Sequence, residues 1–429
     1  MRAGSAGGTM VSVSNEQAGP IAAGQLLDLT VAEAVHGGWC VARAHAQGSS
    51  SPAGSEPRIA RAPQPVVFVR HALPGERVRA VVTQTTSRFA RADAVEVIRA
   101  APQRVPAPCP YAVPGGCGGC DWQHATLPAQ RVIKADVISQ QLKRIAGLER
   151  TVTVEAVPGD ADGLGWRSRV RFAVDRDGRA GLYRHRSHEI VPVTDCLIAH
   201  RLVRAASVTA TTWPGTSWVE VVVAAGTGER AVLASGRPAP RFLNYRASGR
   251  SWRVSAAGFW QVHPGAADVL AAAVLAALAP QPGEKVLDLF CGAGLFAGVL
   301  ADAVGPDGGV IAIEQDAAAV RDARYNLREW PWARVLKGDA AHALARADLS
   351  GASLVVLDPP RTGASKSVID VLCSRFELRK IAYVSCDPAT LARDLRLLTD
   401  GGWQLDSVEG FDAFPMTHHV ECLAVFGRE

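Results

Sequence analysis

The sequence predicts an α/β protein in which a C-terminal, doubly wound, Rossmann-like parallel sheet follows an N-terminal β-barrel and a central β-rich domain. From about Phe259 onward, apolar segments alternate with helical segments, as they do in parallel sheets. Short strand-like segments fill residues 24–104, and strands alternate with turns over residues 151–256. The predicted division is a disordered tail at 1–22, the barrel at 23–104, the central domain at 105–256 and the sheet domain at 257–429.

The barrel is predicted from short apolar and β-branched segments at 26–31, 66–69 and 77–82. Residues 46–65 interrupt this pattern with Ser, Pro and Gly, which predicts a flexible insertion. Several short strands at this spacing favour a small barrel, and such barrels often bind single-stranded nucleic acid through a basic face.

The distribution of charge predicts a polyanionic partner. The net charge is only +5, but residues 68–104 hold seven arginines against three acidic residues, and residues 166–188 hold seven against two. Such basic clusters suit the phosphate backbone of a nucleic acid. A solvated, arginine-rich surface is the alternative interpretation.

The cysteine count and the apolar runs indicate a reduced, cytoplasmic protein. Nine cysteines is an odd number, which disfavours a framework of disulfides. No secretory signal is visible, and the longest apolar run, 266–279, contains Asp268 and is too short to span a bilayer. We therefore expect no membrane association, and no obligate protein partner is evident. Clustered cysteines in such a protein are metal ligands or catalysts more often than bridges.

The sheet domain is predicted from five apolar segments that each end at a polar or glycine-rich turn. An antiparallel hairpin then closes the domain, at 408–411 and 420–426. Upstream, an amphipathic helix is predicted at 128–145. The five strand segments are 286–290, 310–313, 334–336, 354–357 and 381–385.

Cys386 lies where the fifth of these strands meets a helix. Asp387 can cap that helix, and Pro388 fits its first turn. Open α/β sheets hold their ligands at this edge, and the helix dipole favours a thiolate, which lowers the thiol pKa from about 8.5. The local pattern therefore suggests a nucleophile, although a core cysteine fits it as well.

A cofactor site is predicted at the glycine-rich turn after Phe290. Gly292 and Gly294 let the backbone approach a ligand, and Glu314 ends the next strand, 20 residues past Gly294, at the ribose position of nucleotide-binding sheets. The turn lacks a third glycine, which favours a mononucleoside cofactor such as S-adenosylmethionine over a dinucleotide. Asp339, at the end of the third strand, can accept a hydrogen bond from an adenine amino group. A plain turn and exposed strand-end carboxylates remain the alternatives.

Six motifs in the expected order resemble those of the RNA (uracil-5-)-methyltransferases. The cysteine-rich motif is similar to that of the iron–sulfur subgroup, and the barrel is similar to the TRAM module of the ribosomal-RNA members. The six motifs occupy residues 117–124, 258–262, 286–294, 358–361, 383–388 and 418–421.

The resemblance implies a mechanism with one nucleophile and one base. Carbon 5 of uracil becomes nucleophilic when a thiolate adds at carbon 6, and a base must later remove the carbon-5 proton. Cys386 matches the nucleophile of the family and Glu421 its base. An antiparallel last strand would place Glu421 at the same sheet edge as Cys386 and Asp358, which supports this assignment independently.

The resemblance also implies the ligands of two cofactors. Gln261, Phe290, Glu314 and Asp358 match positions that bind S-adenosylmethionine, and Asp339 lies where the adenine contact is usual. Four cysteines match the ligands of a [4Fe–4S] cluster, although four thiolates also suit zinc. These cysteines are Cys109, Cys117, Cys120 and Cys196.

The predicted function is therefore S-adenosylmethionine-dependent methylation of carbon 5 of a uridine in RNA. The barrel and the cysteines favour ribosomal RNA over transfer RNA, again by resemblance. Two rivals remain open: an amino-group methyltransferase, because Asp-Pro-Pro motifs occur there too, and an RNA-binding protein without catalytic activity.

Overall fold

The computed structural model describes residues 21–44, 66–238, 241–346, 349–375 and 377–428. The predicted insertion at 46–65 and all but two residues of the predicted tail at 1–22 lie outside the described residues. Within the described ranges, none of the helices combines the length and the apolar character needed to cross a membrane. The chain forms two compact units. Of the described residues, the first unit contains those up to Glu33 and those between Cys40 and Ala100, and the second contains Ala34–Trp39 and those from Ala101 onward.

Five strands near the N-terminus form the predicted barrel, which is closed in the order β1-β2-β3-β5-β4. Alternate side chains point inward, as Leu29, Val31, Val78 and Val82 show with at most 2 % exposure. Closure leaves no free sheet edge for unwanted strand pairing. The strands are β1 (Leu26–Val35), β2 (Trp39–Ala44), β3 (Val66–Arg70), β4 (Arg77–Thr85) and β5 (Phe89–Arg99).

The first helix of the second unit is α1 (Leu127–Gln141), which is followed by one π-helical turn at Leu142–Ala146, close to the predicted span of 128–145. A five-stranded sheet follows, in the order β11-β10-β7-β8-β9, and a separate hairpin pairs β12 with β13. The strands are β6 (Val154–Ala156), β7 (Arg169–Val174), β8 (Ala180–Tyr183), β9 (Ile190–Val191), β10 (Trp218–Ala224), β11 (Glu229–Ala234), β12 (Phe242–Ala247) and β13 (Arg250–Ser255), and the short helix α2 spans Arg201–Arg204.

The C-terminal part forms an eight-stranded sheet in the order β16-β15-β14-β17-β18-β20-β19-β6. Five neighbouring strands are parallel, and β20 is antiparallel to β18, as predicted. The strands are β14 (Lys285–Leu289), β15 (Gly309–Glu314), β16 (Ala333–Lys337), β17 (Ala352–Leu357), β18 (Lys380–Ser385), β19 (Gln404–Asp412) and β20 (Glu421–Gly427). The helices are α3 (Ala266–Leu278), α4 (Leu295–Val304), α5 (Ala317–Asn326), α6 (Ala340–Arg346), α7 (Lys366–Ser374) and α8 (Pro388–Asp400).

Strand β6 also joins this sheet, where it pairs in parallel with β19, although the sequence places it in the predicted central domain. The predicted domain boundaries stay a prediction. The pairing nevertheless fixes the chain around residue 155 next to the closing hairpin of the sheet.

The parallel strands β14, β15, β17 and β18 are buried on both faces, whereas the edge strand β16 is not. Leu287, Leu357 and Tyr383 pack into one apolar core, whereas Val356 and Val384 pack into the core on the opposite face. This alternation explains why these strands read as nearly continuous apolar runs in the sequence. Most polar side chains of these strands therefore lie at the strand ends, and Asp288 inside β14 is an exception.

At the amino edge of the sheet, Glu284 joins the starts of three strands. Its carboxylate accepts two hydrogen bonds from Arg379, at 2.9 and 2.8 Å, and one from Ser353 at 2.9 Å. The Arg379 guanidinium is the main cause that lowers the pKa of Glu284 to about 2. The charged form of Glu284 is therefore favoured by folding.

We expect Glu284→Gln to lower the free energy of unfolding by about 2 kcal/mol at pH 7, because hydrogen bonds to a charged partner are lost. Since the folded-state pKa is depressed, this stabilisation is present above the ordinary glutamate value and disappears as the pH falls toward about 2. Urea unfolding followed by tryptophan fluorescence, from pH 7 down to pH 3, measures the difference.

Asp370→Asn is a suitable control, since Asp370 is 58 % exposed and its ion pair with Lys366 lies on the surface. A difference between Glu284→Gln and the parent chain that stays constant down to pH 3 would contradict the assignment.

Candidate active site

Three reactive side chains lie at the carboxyl edge of the eight-stranded sheet. Ser385, the last residue of β18, pairs with Cys422 in the antiparallel ladder, and this register places Cys386 opposite Glu421. Asp358 directly follows β17, which is the parallel neighbour of β18. The structure therefore brings Cys386, Glu421 and Asp358 together, and each of the two carboxylates influences the thiol electrostatically.

The turn after Cys386 has the local structure that the sequence predicts. Asp387 caps helix α8, because its Oδ1 accepts hydrogen bonds from the backbone N–H groups of Ala389 and Thr390, both at 2.9 Å. Pro388 is the first residue of the helix. The thiol is consequently held between a buried strand and a capped helix, with part of its surface exposed.

The loop that begins at Asp358 is fastened to the same strand and helix. The hydroxyl of the fully buried Tyr383 donates a hydrogen bond to Asp394 Oδ2 at 2.6 Å. The backbone N–H of Ala364 donates to both groups, at 3.0 and 2.8 Å. Because this network is buried and each partner is satisfied, it fixes the loop relative to the strand that presents Cys386.

The two carboxyl groups of the site have strongly perturbed pKa values. Burial raises the pKa of Asp358 to about 7. Burial and the charge of Asp358 raise the pKa of Glu421 well above its usual range, and the positive charge of Arg361 opposes this only in part. Two carboxylates at one buried edge cannot both ionise easily, so the pair retains a proton near neutral pH.

The prediction of a lowered pKa for Cys386 is wrong. Burial raises the pKa of its thiol to about 12, and the negative charges of Glu421 and Asp358 act in the same direction. The helix dipole does not compensate, because the carboxylate of Asp387 already occupies the helix N-terminus and adds a further negative charge. Arg361 is the nearby charge that favours the thiolate.

The backbone of the predicted cofactor turn is tightly bent, which would let a ligand come close to it. Phe290 has a φ of +63°, which is uncommon for a residue with a side chain, and Gly294 has a φ of +91°. The backbone N–H of Gly292 donates to Glu314 Oε2 at 3.0 Å, and Asp316 N–H donates to Glu314 Oε1 at 2.8 Å. The turn and the carboxylate at the end of β15 therefore form one connected unit.

The remaining predicted cofactor residues, Gln261 and Asp339, lie outside this turn. Gln261 is buried, at 8 % exposure, and precedes helix α3. Asp339 is exposed at the end of β16, the outermost parallel strand, and its carboxylate accepts from the backbone N–H of His342 at 3.1 Å. This contact at the start of α6 agrees with the alternative interpretation of Asp339 as an exposed strand-end carboxylate. It leaves one carboxylate oxygen of Asp339 for another partner.

Sequence reasoning missed Asp288 and assigned no role to Arg361. Asp288 lies in β14 with no exposed surface, its Oδ2 accepts from the backbone N–H of Ala297 at 2.8 Å, and its Oδ1 has no hydrogen-bond partner among the described residues. Burial raises its pKa well above the usual range. A charged residue type between the apolar residues Leu287 and Leu289 was the signal that could have identified it.

The four predicted metal ligands line a single cavity of about 330 Å³ in the second unit. Its basic lining residues include Arg167, Arg184 and Arg186. Two polar groups point at sulfur: Gly119 N–H donates to Cys117 Sγ at 3.4 Å, and the Gln123 amide donates to Cys120 Sγ at 3.1 Å. The four cysteines are Cys109, Cys117, Cys120 and Cys196.

The chemistry of this donor set suits a metal centre with four thiolate ligands. The glycines allow a compact loop, since a Cβ on Gly118 would lie 2.5 Å from the backbone of His185. In the described part of the chain, however, no three or more His, Cys, Asp or Glu side chains are arranged as a group that could hold a metal ion. The cavity thus collects suitable donors without arranging them as a ligand shell.

Three family models match parts of the chain. A model described as tRNA (Uracil-5-)-methyltransferase matches residues 344–428, a methyltransferase domain model matches residues 280–352, and a TRAM domain model matches residues 55–95. The first two together span the strands that carry Glu314, Asp358, Cys386 and Glu421.

Curated relatives match over most of their length. The chain is 44 % identical to an uncharacterized RNA methyltransferase of Streptomyces avermitilis, with 94 % of this chain and 98 % of the relative covered. It is 33 % identical to the 23S rRNA (uracil(1939)-C(5))-methyltransferase RlmD of Pseudomonas putida, with 84 % and 88 % covered. Among solved structures, the tRNA (uracil-54, C5)-methyltransferase of Pyrococcus abyssi shares the fold, with a TM-score of 0.64, 23 % identity, and 84 % and 94 % covered.

The raised pKa of Cys386 gives a direct test of the site in the absence of substrate. Because the folded-state pKa of about 12 lies above the ordinary value, the thiol form dominates at neutral pH, and its alkylation by iodoacetamide should keep accelerating through pH 9. Mass spectrometry of the Cys386 peptide after short pulses measures the rate.

Arg361→Gln should slow the alkylation further, whereas Lys366→Gln, on an exposed helix surface, serves as the charge-matched control. A rate that reaches its plateau below pH 8 would show that the thiolate is stabilised after all.

Proposed function

Because the chain belongs to the RNA (uracil-5-)-methyltransferase family, we propose that it methylates carbon 5 of a uridine through a covalent bond between Cys386 and carbon 6. The chain is an S-adenosylmethionine-dependent RNA methyltransferase. The observation that carries the proposal is the register of β18 and β20, which sets Cys386 opposite Glu421.

The thiolate of Cys386 adds to carbon 6 of the uracil and breaks the carbon 5–carbon 6 double bond. The electron pair moves to carbon 5, carbon 4 and the O4 oxygen, so that carbon 5 can take a methyl group. S-adenosylmethionine supplies that methyl group from a positively charged sulfonium. Arg361 is placed to favour the thiolate before addition, since its charge counteracts the effect of the two carboxylates on Cys386.

Glu421 completes the reaction as the base. It removes the proton from carbon 5, the double bond forms again, and the thiolate of Cys386 leaves carbon 6. Its raised pKa makes it a better proton acceptor than an ordinary carboxylate, provided that it is ionised when the adduct forms.

We assign cofactor binding to the carboxyl edge on the other side of β17. Glu314, which accepts a hydrogen bond from the Gly292 N–H, is suited to bind the ribose hydroxyls. The turn that starts at Phe290 allows the protein backbone to come close to the cofactor. Asp339 is proposed for the adenine amino group, and Gln261 and Asp358 for further contacts.

RNA is the substrate class, and we propose ribosomal RNA as the substrate. The relative with an assigned activity that matches at 33 % identity is named for 23S ribosomal RNA, and the chain carries a TRAM domain. Transfer RNA is the alternative, since the relative of similar fold is named for it. Mapping of 5-methyluridine in total RNA from cells with and without the gene distinguishes the two.

A cytoplasmic location also stays a prediction.

We further propose that Cys109, Cys117, Cys120 and Cys196 hold a [4Fe–4S] cluster. Their placement around one cavity supports this, as do the N–H donors directed at Cys117 and Cys120, because thiolates and cluster sulfurs accept such hydrogen bonds. The cysteines would supply the four thiolate ligands, and the Gln123 amide, whose oxygen accepts from Cys109 N–H at 3.0 Å, would orient two of them.

The roles of the two central residues are tested by one pair of variants. We expect Glu421→Gln to accumulate a covalent protein–RNA adduct, because the thiolate can add but the carbon-5 proton is not removed. Cys386→Ala should abolish methyl transfer and form no adduct. Denaturing gel electrophoresis with radiolabelled RNA and S-adenosylmethionine measures both.

Methyl transfer by Cys386→Ala at the wild-type rate would refute the covalent mechanism. Loss of turnover without an adduct in Glu421→Gln, in a protein that still binds S-adenosylmethionine by calorimetry, would refute the role of Glu421 as base.

The cluster is tested by metal analysis of protein purified without oxygen. We expect about four irons per chain and a brown colour, and Cys196→Ser should lose most of the iron. Cys373→Ser is the control, since Cys373 lies on α7 outside the cavity. A content of one zinc and no iron per chain would show that the four cysteines form a zinc site and would refute the cluster.

A further inference from the structure

The turn that leads into Glu421 is strained and tightly held. It connects β19, which ends at Asp412, with β20, which begins at Glu421. Met416 within this turn has a φ of +69°, a left-handed conformation that a side chain disfavours. Such a conformation persists only where the surrounding structure determines it.

Three hydrogen bonds hold the backbone of Met416 from outside the turn. Its N–H donates to Gln130 Oε1 at 2.7 Å, and its carbonyl accepts from the N–H groups of Asp121 and Trp122, at 2.9 and 3.0 Å. Gln130 has no exposed surface, and its amide N–H group donates back to the carbonyl of Trp122 at 3.1 Å. The strained residue is therefore clamped between helix α1 and the segment that follows Cys120.

A second contact lies closer to the base. Asp121 Oδ2 accepts from the backbone N–H of His418 at 3.0 Å and is 2.6 Å from His418 Nδ1. The Asp121 side chain is buried, with 4 % of its surface exposed. His418 lies three residues before Glu421. One carboxylate thus fixes both the backbone and the ring of a residue directly upstream of the base.

Helix α1 also holds the beginning of the turn. Lys134 Nζ donates to Asp412 Oδ1 at 2.5 Å and to the carbonyl of Phe414 at 2.9 Å. Both ionic side chains are at most 2 % exposed. Gln130 and Lys134 are four residues apart and share one face of the helix. The turn from Asp412 to His418 is consequently fastened along its whole length by polar groups in the interior.

We propose that Asp121 and Gln130 are positioning residues for Glu421, so that the segment carrying Cys117 and Cys120 determines how well the base removes the carbon-5 proton. This inference rests on the proposed function. Neither residue belongs to the strand or helix that presents Cys386, so their loss affects the position of the base more than the position of the thiol. Loss of the clamp lets Met416 relax and shifts the start of β20, which separates the base from carbon 5. The defect therefore falls on the last step of the reaction.

The clamp also joins the cysteine cavity to the base, since Cys120 and Asp121 are adjacent in the chain. A disturbance of the cysteine segment is thereby transmitted to Glu421 over a short, buried path. Cys120→Ser should accordingly show the same accumulation of adduct as a variant of Asp121, in addition to any loss of metal.

The experiment compares Asp121→Ala, the milder Asp121→Asn and Gln130→Met with Asp322→Ala as control. Asp322 is 5 % exposed, and its carboxylate accepts from the N–H of Ser255 at 2.6 Å, so its loss removes a comparable buried hydrogen bond away from the turn. Each full-length variant is checked for thermal unfolding and for binding of S-adenosylmethionine. The rates of methyl transfer and the fraction of covalent adduct are then measured on RNA with protium or deuterium at carbon 5.

We expect the clamp variants to lose about a hundredfold in turnover, as a displacement of about 1 Å can cause. The adduct should accumulate and the deuterium isotope effect should increase, in the order wild type, Asp121→Asn, Asp121→Ala. The Asp322→Ala control should keep the isotope effect of the wild type. A general loss of stability would lower the rate without changing the isotope effect.

The result is separable from a failure of the proposed function. If Glu421→Gln traps an adduct while the clamp variants lose turnover without adduct and without a larger isotope effect, the positioning role is wrong and the mechanism stands. If Asp121→Ala does not fold, the same comparison on Asp121→Asn and Gln130→Met decides the question. If even Glu421→Gln gives no adduct, the proposed function fails first, and the positioning role fails with it.

Discussion

The antiparallel pairing of β20 with β18 is the constraint on which the candidate site depends. The ladder pairs Ser385 with Cys422, so Cys386, the residue after β18, lies opposite Glu421, the first residue of β20. A shift of one residue would turn one of the two side chains to the other face of the sheet. The buried residues on both faces of β18 prevent such a shift, because it would move Tyr383 and Val384 between the two cores.

This arrangement has an electrostatic consequence. A thiol and two carboxyl groups share a buried edge, and each negative charge there raises the pKa of the other groups. The edge is therefore poorly suited to carry several negative charges by itself, with Arg361 as the charge that counteracts them at Cys386. A cationic ligand at the same edge would favour the thiolate, and the proposed sulfonium cofactor has that charge.

The parallel sheet and the site at its carboxyl edge could be predicted from the sequence, because both follow from local patterns. Apolar runs that end in polar residues predicted the parallel strands, and the Asp-Pro pair after Cys386 predicted the capped helix. The pKa of Cys386 could not be predicted in this way, since it depends on Glu421 and Asp358, which are distant in the chain. The pairing of β6 with β19 and the ion pair between Lys134 and Asp412 have no local signature either.

The buried polar side chains of helix α1 carry a desolvation cost that an apolar helix would avoid. Burying Lys134 lowers its pKa through desolvation, and the contact with Asp412 is the largest effect that opposes this, with a further contribution from the charge of Asp121. An apolar pair of similar volume would often be as stable, so stability alone does not explain the ion pair. Hydrogen bonds and ion pairs are directional, whereas apolar contacts are not. The strained turn at Met416 requires such directional contacts to keep its conformation. The polar face of α1 is therefore suited to set where β20 begins, and with it the position of Glu421, the proposed base.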